Sequence, residues 1–179
     1  MGFGLPRKVT VEHEKILDSW GMLIDGGAGK GDTLLAWFMK FLRESNAPGL
    51  EVEAVEVRPS WLKGLLGKSR EFLMVTNKGA KDFRMYVCVR DYGNDLDVSW
   101  FITCEPGFLK KRIIKSMVKA GNVDKAMNMI LDILTWQDLA AGATCVHHSL
   151  LKAVEAIMRD LGQDPSTIQR RSRGFLGIS

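Results

Sequence analysis

Residues 82–105 read DFRMYVCVRDYGNDLDVSWFITCE. Two runs rich in β-branched and aromatic residues flank Gly93-Asn94, a pair suited to a two-residue hairpin loop. Setting Tyr92 opposite Asp95 fixes the register. One face then pairs Phe83 with Cys104, Met85 with Ile102, Val87 with Trp100 and Val89 with Val98, all apolar. The other pairs Arg84 with Thr103, Tyr86 with Phe101, Cys88 with Ser99 and Arg90 with Asp97. A one-residue slip would scatter the apolar set over both faces. Each good cross-strand pair contributes roughly 0.2–1 kcal/mol, so many pairs together specify this register.

Upstream the period stays at two. Residues 50–58 and 70–77 read as strands, separated by Pro59 and the Gly-rich, basic stretch 61–68. Before them, Ile16, Leu17, Trp20, Leu23 and Ile24 recur at helical spacing within residues 11–24. A break of permissive residues, 25–31, follows. Asp32 then stands as an N-cap before the apolar Leu34, Leu35, Trp37, Phe38, Phe41 and Leu42. After the sheet the helical period returns. Pro106 to Gly121 reads as a helix with Leu109, Ile113 and Met117 on one face. A short helix opening at Asp124 and running through Leu134 comes next. A longer one, 136–161, aligns Leu139, Val146, Leu150, Val154, Ile157 and Leu161. Gly162 ends it, and Asp164-Pro165 starts a short turn into the tail.

The expected fold is therefore α+β within one domain, 1–179. A four-stranded antiparallel β-meander (50–105) lies between an N-terminal helix pair (11–45) and a C-terminal helical half (106–171), with a tail at 172–179. The helices are expected to cover the sheet face carrying Met85, Val87, Trp100 and Ile102.

Composition agrees with a globular chain. Hydrophobic residues make up 46% and charged residues 26%, which excludes a disordered polyelectrolyte. Three cysteines, Cys88, Cys104 and Cys145, are too few and odd in number for a secreted disulfide framework, so a reducing cytoplasm is expected. The first residues show no signal-peptide h-region, and Pro6 stands where a myristoylation signal wants Ser or Thr. The uncharged run Leu139 to Leu151 is too short to span a bilayer.

Charge is distributed unevenly. Pro106 to Gly121 holds Lys110, Lys111, Arg112, Lys115 and Lys119 and no Asp or Glu. The whole chain nets +4, so the remainder sums to about −1. Exposed helices normally mix signs to form i,i+4 pairs. An acid-free run therefore asks for an external counter-charge: an acidic protein, nucleic-acid phosphate or an anionic membrane surface. The bland alternative is a solvated lysine face. Arg170, Arg171 and Arg173 form a second cluster ahead of the apolar end Gly174 to Ile178, which either folds onto the core or is offered to a partner.

Catalytic and cofactor motifs are weighed and set aside. Residues 26–33, GGAGKGDT, fail as a phosphate loop, because Ile24 stands where the leading Gly belongs and Gly31 where Ser or Thr should follow Lys30. The segment before this loop also reads as helix, where the motif needs a strand. Cys145, His147 and His148 suggest metal or thiol chemistry, but Cys88 and Cys104 point to opposite sheet faces and no third ligand or oxyanion feature emerges. The bland reading is a buried Cys145 with two interfacial or solvated histidines. No carboxylate pair stands out for acid–base work. The hairpin's second face is more suggestive: Arg84, Tyr86, Arg90 and Phe101, if left open, can stack bases and hold phosphates.

The expected function is thus a non-enzymatic interaction, adaptor or assembly module, without cofactor or metal. It docks an anionic partner, an acidic protein or a second copy, through Lys110, Lys111, Arg112, Lys115 and Lys119 and through Arg170, Arg171 and Arg173. The alternative is a nucleic-acid-binding protein using the basic helix with Arg84, Tyr86, Arg90 and Phe101. A second alternative is a peripheral membrane-surface protein.

Overall fold

The computed structural model describes residues 6–10, 16–58, 69–105, 121, 131–174 and 176–179. Its elements are β1 (Arg7–Thr10), β2 (Ile16–Ile24), α1 (Gly31–Glu44), β3 (Leu50–Arg58), β4 (Arg70–Asn77), β5 (Phe83–Tyr92), β6 (Asp95–Cys104) and α2 (Ile133–Asp160), followed by a 3-10 turn, Pro165–Thr167. The strands form one six-stranded sheet in the order β1-β3-β4-β5-β6-β2. All neighbours are antiparallel except β1 and β3.

The α+β class and the meander β3-β4-β5-β6 agree with expectation. The β5–β6 register matches every pair read from the sequence, from Phe83 with Cys104 to Tyr92 with Asp95. The meander is nevertheless the centre of a larger mixed sheet and not the whole of it.

The N-terminal helix pair is corrected. Residues 16–24 form strand β2, paired along β6 with Trp20 opposite Trp100. The apolar residues of this stretch fit either period. Gly21 argues against helix, where it costs about 1 kcal/mol relative to Ala. As a strand it lets β2 approach β6 closely, for a Cβ there would sit 3.1 Å from that of Ser99. Trp20 and Ile24 then share the core face with Trp100, Val98 and Leu96. Burial on β6's open edge decided the conformation, which local spacing could not show.

Asp32 is also corrected. Helix α1 starts two residues earlier, at Gly31, with Lys30 at the N-cap and no side-chain cap; Asp32 lies in the first turn, where it favours the helix dipole. Helix α2 begins at Ile133, so Ile133 and Leu134 belong to it and not to a separate helix. Asp132 caps it by accepting from the N–H groups of Leu134 and Thr135, both at 3.0 Å. The remainder of the expected short helix (124–130) and the basic helix (106–120) lie outside the described residues.

Both helices cover the face that carries Met85, Val87, Trp100 and Ile102. Leu34, Phe38 and Leu42 of α1 and Leu139, Val146, Leu150, Val154 and Ile157 of α2 join those residues in one core. Gly142 is a close-packing point: a Cβ would lie 2.8 Å from the Asn77 side-chain nitrogen. The opposite face holds a smaller apolar cluster of Val55, Met74 and Tyr86, bordered by Val9, Val57, Phe72 and Phe101.

Candidate functional site

The five cations Lys110, Lys111, Arg112, Lys115 and Lys119 lie outside the described residues. The other expected site residues are all placed.

Arg84, Tyr86, Arg90 and Phe101 do share the sheet face away from the helices, because β5 and β6 alternate in the expected register. They do not form an open stacking surface. Tyr86 is 0% exposed. Its ring lies against Phe101 at 5.1 Å and nearly parallel (22°), while Phe72 meets both rings edge-on. Burial pushes the Tyr86 phenol up from its ordinary value, with Arg84 pulling it partly back. Its hydroxyl sits beside Arg84 and Thr103 but finds no partner in hydrogen-bond geometry among the described residues. Both arginines have internal acids. Arg84 pairs with Glu105, and Arg90 pairs with Asp97 at 2.8 Å while lying over the Tyr92 ring. These four residues are thus a closed aromatic cluster flanked by neutralised cations.

The glycine-rich loop before α1 is corrected on one count, since a strand and not a helix precedes it. Its amides are already engaged: Gly26 N–H donates to Asp95 and Gly29 N–H to Asp91, each at 3.0 Å. Both glycines have positive φ (62° and 80°), which aims those amides at the hairpin end. The Cys145 thiol donates to Ser45 Oγ (3.0 Å), and His148 Nε2 meets the Ser179 carbonyl oxygen at 2.9 Å. Cys145 is half-buried, against the buried thiol expected. Among the described residues, no three His, Cys, Asp or Glu side chains converge as metal ligands. A cavity of about 20 Å³ between β4–β5 and α2, lined by Val75, Phe83, Ile102, Leu139 and Val146, has room for a water molecule at most.

Residues 168–174 and 176–179 lie against the body, as in the reading in which the tail folds onto the core. The centre of this contact is His147, which is fully buried and not interfacial. The imidazole lies edge-on between Trp20 (5.3 Å) and Trp100 (5.6 Å). Trp100 Nε1–H donates to His147 Nδ1 at 2.9 Å, so Nδ1 is the bare nitrogen and Nε2–H donates to the Arg170 carbonyl at 2.6 Å. Desolvation is the main cause that holds this imidazole below its ordinary pKa, against the opposing hydrogen bond to Arg170. Trp20 Nε1–H donates to the Gln169 carbonyl (2.6 Å). The buried Asp18 carboxylate accepts from the N–H groups of Ser19 (2.7 Å) and Leu176 (3.0 Å). Ile168 and Ile178 supply the apolar anchors.

The three tail arginines diverge. Arg170 pairs with Glu155 at 2.8 Å. Arg171 and Arg173 are exposed and have no acid partner among the described residues. The Arg173 N–H donates to the Ser19 carbonyl on the free side of β2 (2.8 Å). Its side chain borders an open hollow of about 380 Å³ whose other walls include Ser19, Gly21, Ser99 and Phe101. Sequence reading missed both the imidazole–tryptophan cluster and this hollow, because both depend on β2 being a strand beside β6.

Comparison with known protein families, characterised proteins and solved structures finds no match for this chain. Among the described residues, no helix is long and apolar enough to cross a membrane.

Proposed function

We propose that this chain is a non-enzymatic interaction or assembly module that docks an acidic protein partner through its basic segment 106–121. One observation carries the reading: five Lys or Arg residues without a single Asp or Glu. The body offers a contrast. Arg7, Lys30, Lys78, Arg84, Arg90, Arg159 and Arg170 each lie within salt-bridge distance of a carboxylate in the same chain. With many of the described cations paired locally, a run free of acids in sequence supports an external counter-charge there. The closed Tyr86–Phe101 cluster and the neutralised Arg84 and Arg90 favour an acidic protein over nucleic acid stacked on the sheet.

The test is affinity capture from the native cell with the wild-type chain and with the Lys111→Glu, Lys115→Glu, Lys119→Glu triple variant. An acidic protein retained by the first and lost by the second is expected; equal retention refutes the reading. A gel shift across a salt series separates the alternative. A steep fall of log affinity with log salt, about −0.9 per phosphate neutralised, assigns the segment to nucleic acid instead.

A further inference from the structure

We propose that the free edge of β2, from Gly21 to Leu23, is a docking strip for an extended segment of a partner protein. That segment carries an acidic side chain at one end and apolar residues at the other. The proposal concerns a different surface from residues 106–121 and stands whether or not that segment docks anything.

The geometry follows from the ladder. In an antiparallel pair, alternate residues turn their N–H and C=O groups away from the neighbouring strand. The Ser19 carbonyl points outward, since it accepts from the Arg173 N–H. The outward set is therefore Ser19, Gly21 and Leu23, while Trp20 and Met22 bond across to Trp100 and Val98. Ser19 is satisfied on both sides, its N–H by Asp18 and its carbonyl by Arg173. The N–H and C=O groups of Gly21 and Leu23 have no partner among the described residues, and β6 is the only described neighbour of β2.

Natural edges are usually blunted by lysine, proline or a covering loop. Segment 168–179 covers this edge as far as Ser19 and stops there. From Ser19 to Ile24 the strand, SWGMLI, carries no charge at all. Among the described residues, one half of the edge is thus covered and the other half is not. Backbone pairing on such an edge gives affinity, and flanking pockets give specificity.

The flanks select the occupant. At one end the hollow beside Gly21 is walled by Arg173, Ser19 and Ser99. Arg173 has no acid partner among the described residues, and neither hydroxyl makes a side-chain hydrogen bond within them, so an incoming carboxylate meets a cation and two hydroxyl donors. At the other end Leu23 is 49% exposed and offers an apolar contact. A basic segment would meet Arg173 with like charge.

The probes are two fluorescein-labelled hexapeptides, EVTVTV and VTVTVE, which place the acid at either end, together with KVTVTV and VTVTVK. Saturable anisotropy is expected with one acidic peptide and with neither basic one. Leu23→Pro removes an outward N–H without touching the β2–β6 ladder, and proline is tolerated on such an edge. It should weaken the acidic peptide at least tenfold, and Arg173→Glu should do the same. If Leu23→Pro fails to fold, methylation of alternate peptide amides gives the same test on the wild-type chain. The segment-111/115/119 triple variant should bind the peptide unchanged, which keeps this test separate from the basic-segment reading. No saturable binding of either acidic peptide overturns the proposal, as does binding insensitive to both Leu23→Pro and amide methylation. Sedimentation showing a wild-type dimer that Leu23→Pro dissociates would assign the strip to a second copy and overturn the acidic occupant.

Discussion

Replacing His147 by Phe keeps a ring of similar size between Trp20 and Trp100 but removes both nitrogens. Trp100 Nε1–H then loses its acceptor, and the Arg170 carbonyl loses its donor. An orphaned buried polar group costs about 1–3 kcal/mol. The indole N–H belongs to the fully buried Trp100, whereas Arg170 is an exposed residue. The expected loss at about pH 7.5 is therefore about 2–4 kcal/mol. The pH profile is the sharper readout. The folded imidazole sits below its ordinary 6.5, chiefly because it is desolvated. Below 6.5 the unfolded chain takes up a proton that the folded chain resists, so stability present above 6.5 is lost as pH falls towards the folded value. The slope is at most about 1.4 kcal/mol per pH unit for one proton. The ionisable groups facing the ring are His148 on α2, Asp18 on β2 and Arg170 on the returning segment, and all three remain in the variant. Urea unfolding followed by tryptophan fluorescence, from about pH 7.5 to about pH 5, should show a wild-type decline that His147→Phe flattens. Identical slopes in the two proteins would refute the assignment, as would a variant as stable as wild type at the upper pH.

Three other substitutions probe two further features. Tyr86→Ala should cost about 3–5 kcal/mol, as for other large buried rings, while Tyr86→Phe should be close to neutral because the hydroxyl it removes has no hydrogen-bond partner among the described residues; thermal denaturation distinguishes them, and a near-neutral Tyr86→Ala would restore the open-face reading. Gly174→Ala places a Cβ 2.5 Å from the Asp18 backbone, so it should displace segment 168–179 and red-shift the Trp20 emission without unfolding the sheet, and an unchanged spectrum would count against the clamp.

The parts legible in the sequence were those where local pattern and tertiary burial agree. The β5–β6 hairpin has apolar residues on one face, a turn pair between its runs and matched cross-strand partners, so no long-range information was needed. β3 and β4 were bounded equally well by turn residues. β2 was not legible, since ILDSWGMLI supports either period and only the vacant side of β6 selects strand. That single error hid the candidate sites. With Trp20 on a helix, nothing placed it beside Trp100, and His147 had no visible reason to be buried. Arg84, Tyr86, Arg90 and Phe101 were correctly put on one face. The register had already set Arg90 opposite Asp97; the rest turned on Phe72 and Glu105, whose reach is a matter of side-chain packing and not of alternation. Asp32 was misjudged because an acid serves either as cap or in the first turn, and Lys30 took the cap without a side-chain bond.

The order in which the strands meet has a kinetic consequence. β3 to β6 join sequence neighbours, whereas β2 closes onto β6 by bringing Ile24 to Leu96, and segment 168–179 must arrive later still to reach Ser19. Distant closures carry the greater chain-entropy cost and tend to form late. Trp100 therefore belongs to the early-forming hairpin and Trp20 to the late-arriving border. The two indoles, set opposite one another in the finished molecule, are natural clocks for the beginning and the end of its assembly.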